Sequence, residues 1–341
     1  MEPTGLQIAW YLLFFVLIAG YAVLDGFDLG VGVLSLFNGS DAERRLYVNS
    51  IAPVWDGNEV WLLTGGGALF AAFPPVYATA FSGMYLALML VLLGLILRAV
   101  AMEFRGKVET LAWRRTWDLA FGVGSLLPAL LFGVAVGNVL RGMPLDGEGE
   151  FAGTFLGLLN PFSLLCGVLG LVMFVTHGAL YLAGRTEGDL RDRMVAVARK
   201  GWIAWGVLYV LATAYGAVEA PGLFQASFGR PLFWVLLLGM AASLASVPSL
   251  LSRRGPETAV FLSGTAIALT VGAAASALYP NLIPALGDPA RSLTLANASS
   301  SPLTLTTMLV IALVGVPVVL AYTVFIYRVF RGRVVLDEFS Y

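Results

Sequence analysis

Nine stretches of the chain, at approximately 6–37, 50–72, 75–103, 116–140, 160–184, 200–219, 231–251, 258–279 and 303–330, read as helices able to cross a lipid bilayer. No other feature limits the fold as much. In hydrocarbon every backbone N–H and C=O must be paired internally, so only helices and closed barrels span it, and runs of this length are helical. Composition agrees: 59% of the 341 residues are hydrophobic, 12% are charged, and the mean hydropathy is +0.85, whereas soluble domains carry about 25% charged residues. A formal charge of -1 argues against a nucleic-acid partner, which would need clustered Lys and Arg to neutralise phosphates. The single cysteine, Cys166, precludes an internal disulfide and reads as a small core residue. Residues 1–5 carry no positive charge, so the first apolar run is expected to be kept as an anchor.

The long connections, a Gly-rich acidic loop at 141–153 and a segment rich in Asn, Ser and Pro at 280–302, look too short for folded domains. The expectation is one all-α integral membrane domain, 1–341, whose neighbouring helices are mostly antiparallel. Loop charge orients it, because Lys- and Arg-rich loops stay on the cytoplasmic side. Arg44, Arg45, Arg105, Lys107, Arg114, Arg115, Arg185, Arg191, Arg193, Arg199, Lys200, Arg253, Arg254, Arg328, Arg331 and Arg333 fall on one side; Arg141, Arg230 and Arg291 fall on the other. The N-terminus is therefore expected outside and the C-terminus inside, which requires an odd number of spans.

Within this apolar frame, Asp25 and Asp28 interrupt the first helix with no opposite charge beside them. A carboxylate at the bilayer centre costs about 2.5 kcal/mol or more, which makes such a residue a functional-site candidate. At a rise of about 1.5 Å per residue, both lie in the inner half. Asp56 and Glu59, in the string WDGNEVW, reach a comparable depth on the second helix. Each pair has i, i+3 spacing and so shares a helix face. Arg98, the one cation left inside a helix, falls in the same layer, as does His177. Trp55, Asn58 and the glycines Gly26, Gly30, Gly32 and Gly57 surround the acids, small residues letting helices approach closely. Pro53 loosens the second helix just below them.

Buried acids that raise one another's proton affinity form proton relays. The competing reading is structural: Arg98 pairs with one acid and pins three helices. Proton handling is preferred, because four acids and one base leave charge unbalanced. A di-iron or di-manganese site would need Glu-x-x-His motifs, and no acid lies three residues from the only histidine. One histidine and one cysteine also preclude this chain from ligating several haems by itself. His177 reads first as a hydrogen-bonded bundle residue, with proton transfer and ligation of a single haem as lesser readings. Trp10, Trp61, Trp113, Trp202 and Trp234 fit an aromatic belt. The charged run 185–200 reads as a solvated connection with its helix flank, and Glu219 as an acid hydrated at an outer helix end.

The strings GYAVLDGFDLGVG (Gly20 to Gly32), PVWDGNEVWL (Pro53 to Leu62), FSGMYLAL (Phe81 to Leu88), the Arg98 segment ending in MEFR, and THGALYLAGRTEGDLRDR (Thr176 to Arg193) resemble subunit II of bacterial cytochrome bd-type quinol oxidases. The resemblance implies two four-helix bundles plus one peripheral helix, here 1–142, 143–290, and a ninth helix with its tail at 291–341. It implies a heterodimer with a homologous haem-bearing subunit I in the bacterial cytoplasmic membrane, with lipid and small accessory subunits as further partners. The haems, b and d or b-type only, and the quinol-oxidation site would belong to that partner, with a structural quinone or lipid the remaining ligand class here. Asp25, Asp28, Asp56 and Glu59 would then supply cytoplasmic protons for oxygen reduction, while Trp55 and Arg98 shape the contact with the haem-bearing subunit or compensate charge. LDGFDLG on the first helix and THGALYLAG on the fifth form a weak internal echo. A proton-coupled transporter and a purely structural scaffold subunit are the alternatives.

Overall fold

The computed structural model describes residues 2–37, 40–253 and 255–336; Arg254 of the charge count and the end of the expected tail lie outside them. The helices are α1 (Gly5–Ser35), α2 (Asp41–Ile51), α3 (Trp55–Ala72), α4 (Pro74–Gly83), α5 (Tyr85–Phe104), α6 (Leu111–Arg141), α7 (Pro161–Arg185), α8 (Gly188–Glu219), α9 (Pro221–Phe228), α10 (Pro231–Arg253), α11 (Pro256–Leu278) and α12 (Pro302–Val329). Two short strands, β1 (Asn281–Ile283) and β2 (Leu293–Thr294), precede α12. Eight helices among the described residues are long and apolar enough to cross a membrane: α1, α5, α6, α7, α8, α10, α11 and α12. The 18-residue α3, weighed down by Asp56, Asn58 and Glu59, is not among them.

Proline and polar caps set the helix boundaries. Thr4 and Gln7 form a capping box on α1, and Asn160 and Ser301 accept from the first turns of α7 and α12, whose first residues are prolines. The expected second helix, 50–72, is divided: α2 ends at Ile51, Pro53 lies in a turn, and α3 starts at Trp55. A proline ring cannot continue a helix without losing a hydrogen bond and clashing with the preceding turn. The third is also divided, since Met84 leaves helical geometry (φ -99°, ψ 19°) between α4 and α5. The charged run 185–200 is more ordered than its composition suggests. From Gly188 onward it forms the start of α8, where Leu190, Met194 and Ala198 bury one stripe at i, i+4, i+8 and leave the charges on the other faces.

α7 is the central helix, packing against α1, α6, α8 and α11. Its approach to α1 is backbone on backbone. A Cβ on Gly178 would lie 2.6 Å from the Val31 nitrogen, and one on Gly30 would lie 1.9 Å from the Phe174 carbonyl oxygen. At the end opposite the basic loops, the two long connections join rather than dangle. Met143 N–H donates to Pro284 O (2.8 Å), Leu286 N–H to Met143 O (2.8 Å), and β1 pairs antiparallel with β2, so a small cap closes over Met143, Leu145, Ile283 and Leu295. Trp10 belongs to that core at 4% exposure, its Nε1 donating to Leu305 O (2.9 Å), and is not a belt residue. Glu219 is paired with Arg141 (2.9 Å) rather than merely hydrated, tying the end of α8 to the end of α6.

At the basic end, Arg105 donates to Asp41 (2.6 Å) and Asp118 (2.6 Å), and Arg44 donates to Asp118 (3.0 Å), locking α2 to α6. Partial burial pushes the Asp41 carboxyl up, but Arg105, Arg114 and Arg45 outweigh it and hold it below the usual carboxylate range. Its pairing energy is therefore fully present above the unfolded value of about 3.9 and is lost as pH falls through the lower folded value. Half-exposed as it is, Asp41→Asn should lower stability by less than about 1 kcal/mol at pH 7. In thermal melts the difference from the parent should begin to shrink as pH falls below about 4 and vanish only under the lower folded value. Gly178→Leu should cost at least about 3 kcal/mol and abolish monodisperse elution of the detergent-solubilised protein. Gly315→Ala, with nothing within 4 Å of the added methyl, should be neutral or stabilising in the same assay.

Candidate functional site

The acid layer forms where α1, α3 and α5 converge. The first turn of α3, freed by Pro53, places Asp56 at the positive end of the helix dipole. Glu59 follows one turn later, alongside α1. On the other side, α5 is drawn against α6 by paired glycines: a Cβ on Gly124 would lie 2.6 Å from Gly94 O and 2.8 Å from the Arg98 nitrogen. That contact sets the position from which the Arg98 side chain reaches inward.

Arg98 is fully buried and bridges two helices. Its Nη1 lies 2.8 Å from Asp25 Oδ1, an ion pair whose angle falls outside hydrogen-bond geometry, and its Nη2 donates to Glu59 Oε1. A planar guanidinium offers its donors in a fixed fork, which suits two carboxylates arriving from different helices. Asp25 and Asp28 are both wholly buried. Asp28 Oδ2 accepts from Asn58 Nδ2 (2.7 Å), which also donates to Leu24 O (3.2 Å). Asp28 Oδ1 and Tyr21 Oη are buried without a hydrogen-bond partner.

The expected layer is thus only partly one cluster. Asp25, Asp28, Glu59 and Arg98 come together, whereas Asp56, expected among the buried acids, is exposed on the protein surface. Residues at i, i+3 sit about 60° apart around a helix. At the edge of the buried cluster that angle separates a paired acid from an open one. Trp55, half-buried, packs at the start of α3 against the core of the basic end. Trp61 lies over Gly20, where a Cβ would come 2.2 Å from its ring.

His177 lies outside the cluster. Its Nε2 lies 3.0 Å from Val23 O and its Nδ1 lies 2.7 Å from Ser263 Oγ. A carbonyl only accepts, so Nε2 carries a proton, and with both nitrogens occupied the ring has no lone pair open to a haem iron. Among the described residues no group of three or more His, Cys, Asp and Glu is arranged to hold a metal ion. One residue escaped the sequence reading. Tyr327 on α12 donates to Asn58 Oδ1 (2.9 Å), and nothing in its local sequence sets it apart from other aromatic residues near helix ends.

Removing one member of a buried pair leaves an uncompensated charge, so Arg98→Leu should cost about 3–5 kcal/mol. Arg98→Lys, a point charge without the fork, should fall between it and the parent. Combining Arg98→Leu with Asp25→Asn should recover part of the loss in chemical or thermal denaturation of the purified protein.

Residues 6–330 match the family described as "Cytochrome bd terminal oxidase subunit II". The chain is 40% identical to "Cytochrome bd-I ubiquinol oxidase subunit 2" of Escherichia coli K12 over 365 residues, covering 98% of this chain and 96% of that protein. It is 38% identical to "Cytochrome bd ubiquinol oxidase subunit 2" of Bacillus subtilis over 334 residues, 97% of each chain. It is also 40% identical to "Probable cytochrome oxidase subunit 2" of Haemophilus influenzae over 360 residues, covering 96% and 95%. In fold it resembles a chain of the bd oxidase structure from Geobacillus thermodenitrificans, with a TM-score of 0.78 at 16% identity over 96% of this chain and 99% of that one. The acid motifs, the helical membrane fold and these matches over nearly the whole length agree: the chain belongs to the cytochrome bd terminal oxidase subunit II family.

Proposed function

We propose that this chain is the haem-free subunit of a heterodimeric quinol:oxygen oxidoreductase, and that its acid layer passes cytoplasmic protons toward the partner subunit. As a family member it is a subunit of a quinol oxidase in the bacterial inner membrane. The engaged nitrogens of His177 support leaving the haems, b and d or b-type only, with subunit I. The quinol site is assigned there too, and small accessory subunits and a bound lipid or quinone belong to the same reading.

Nine spans fit this reading if α3 is added to the eight, since 18 residues rise about 27 Å and the helix packs along α1. An outer N-terminus and an inner C-terminus follow from the basic loops. Helix contacts support two bundles. In residues 1–142, α1 touches α3 and α6, and α5 pairs with α6; in 143–290, α7 touches α8 and α11, and α10 pairs with α11. The remaining segment, 291–341, adds α12 at the periphery.

The observation that carries the proton reading is the charge count of the cluster: Asp25, Asp28 and Glu59 share one arginine. Arg98 stays protonated and fixes charge rather than moving it. Asp56 and the partly exposed Glu59 are the acids that reach the surface, so the proposed transfer runs over them, with Asp25 and Asp28 as the buried acceptors behind. Asp56 opens an exposed stripe continuing through Gly57, Val60, Thr64 and Gly67. An acid on that stripe is unsuited to lipid, which supports turning this face, with Trp55 beside it, to subunit I.

One observation favours a scaffold role instead: Arg98 pairs with two acids from two other helices, which is what pinning requires. The assembled complex separates the readings. Asp56→Asn and Asp25→Asn should each lower quinol-dependent oxygen uptake by about tenfold or more and alter its pH dependence. Turnover and pH profile equal to the parent in both variants would leave the scaffold role alone standing.

A further inference from the structure

Peripheral helix α12 touches the acid layer at one hydrogen-bonded point, which the proposed transfer does not use. The Tyr327 hydroxyl donates to Asn58 Oδ1 (2.9 Å), while Asn58 Nδ2 spends its two hydrogens on Asp28 Oδ2 (2.7 Å) and Leu24 O (3.2 Å). An amide has one acceptor oxygen and two N–H donors, and all are engaged. If the amide turned over, its oxygen would face a carboxylate oxygen and a carbonyl oxygen. A donor at Oδ1 therefore holds the amide in the one orientation that points an N–H at Asp28.

The hydroxyl is itself held by a strap at the end of α12. Arg185, the last residue of α7, donates from Nη1 to the carbonyls of Phe330 (2.5 Å) and Gly332 (2.8 Å). Val334 N–H returns a bond to Arg185 O (2.9 Å), and Arg333 pairs with Glu187. Above the strap, the Tyr327 ring meets the edge of Phe27 at 6.5 Å, and Phe27 stacks on Tyr181 at 4.0 Å. α12 buries Leu305 at its other end, where the Leu305 carbonyl accepts from Trp10, so Tyr327 is its side-chain hydrogen bond to the acid layer.

We infer that Tyr327 is a positioning residue for Asp28, orienting the Asn58 amide toward the carboxylate from a helix that is itself fastened by Arg185. The inference rests on the proton role proposed for the acid layer. The other titratable or charged groups around Asp28 are Asp25 on its own helix, Glu59 on α3, Arg98 on α5 and Tyr181 on α7. His177 points instead at Val23 O and Ser263.

Tyr327→Phe keeps the ring and removes only the hydroxyl. In the assembled oxidase it should move the acidic limb of the turnover profile toward higher pH by about half a unit to one unit, because a donor favouring the charged carboxylate is weakened. Arg185→Gln should move it the same way by less. The second readout is the infrared carbonyl band of the protonated Asp28 carboxyl, identified by its loss in Asp28→Asn, which should shift in Tyr327→Phe. A band that stays at the parent frequency in Tyr327→Phe overturns the positioning role, whatever the turnover shows. If Asp28→Asn leaves turnover and its pH profile unchanged while Tyr327→Phe shifts the band, the positioning stands and the proton role falls.

Discussion

A guanidinium buried among membrane helices has to be matched by carboxylates at close range, and Arg98 meets that requirement with Asp25 from α1 and Glu59 from α3. This single group makes three helices converge at a fixed depth. The arrangement is not the most stable use of the space, since a buried ion pair can often be replaced by apolar side chains without loss. Stability is therefore a weak reason for its presence. A cluster with more acids than cations gives the protein something an apolar core lacks, namely carboxyl groups whose protonation responds to their neighbours.

The surrounding packing holds this electrostatic centre still. Gly30 against the Phe174–Gly178 stretch brings α1 onto α7, and Gly94 against Gly124 brings α5 onto α6 beside Arg98. Neither contact admits a side chain. Without a hydrophobic effect to press helices together in lipid, close backbone approach and van der Waals packing must do so. The charge cluster and the glycine seams are thus interdependent, the seams setting the distances and the ion pairs making those distances favourable.

The long apolar runs made the helical membrane fold legible, and Asp25, Asp28, Glu59 and Arg98 could be placed in one layer from rise per residue alone. Asp56 shows where that reasoning stops, because depth along a helix does not say which way a side chain turns. Tyr327 lies 269 residues from Asn58 in the chain, and no local pattern encodes such a pairing. The start of α8 was obscured for another reason: its charges dominate the composition of 185–200, while a stripe of Leu190, Met194 and Ala198 sustains the helix. The hairpin between 281 and 294 is too short to show strand periodicity, and it is held by partners in the 142–153 loop.

The two halves repeat a pattern of contacts while dividing the chemistry unequally. α1 lies against α3 and α6 as α7 lies against α8 and α11, and LDGFDLG on α1 is echoed by THGALYLAG on α7. Where the first half places acids and an arginine, the second places His177, bonded to Ser263 and the Val23 carbonyl, and a core of Trp205, Met240, Leu244 and Ile267. The charged cluster packs against the apolar surface of α7, which α1 meets backbone on backbone. The Gly30–Gly178 crossing is where they meet, five residues along α1 from Asp25.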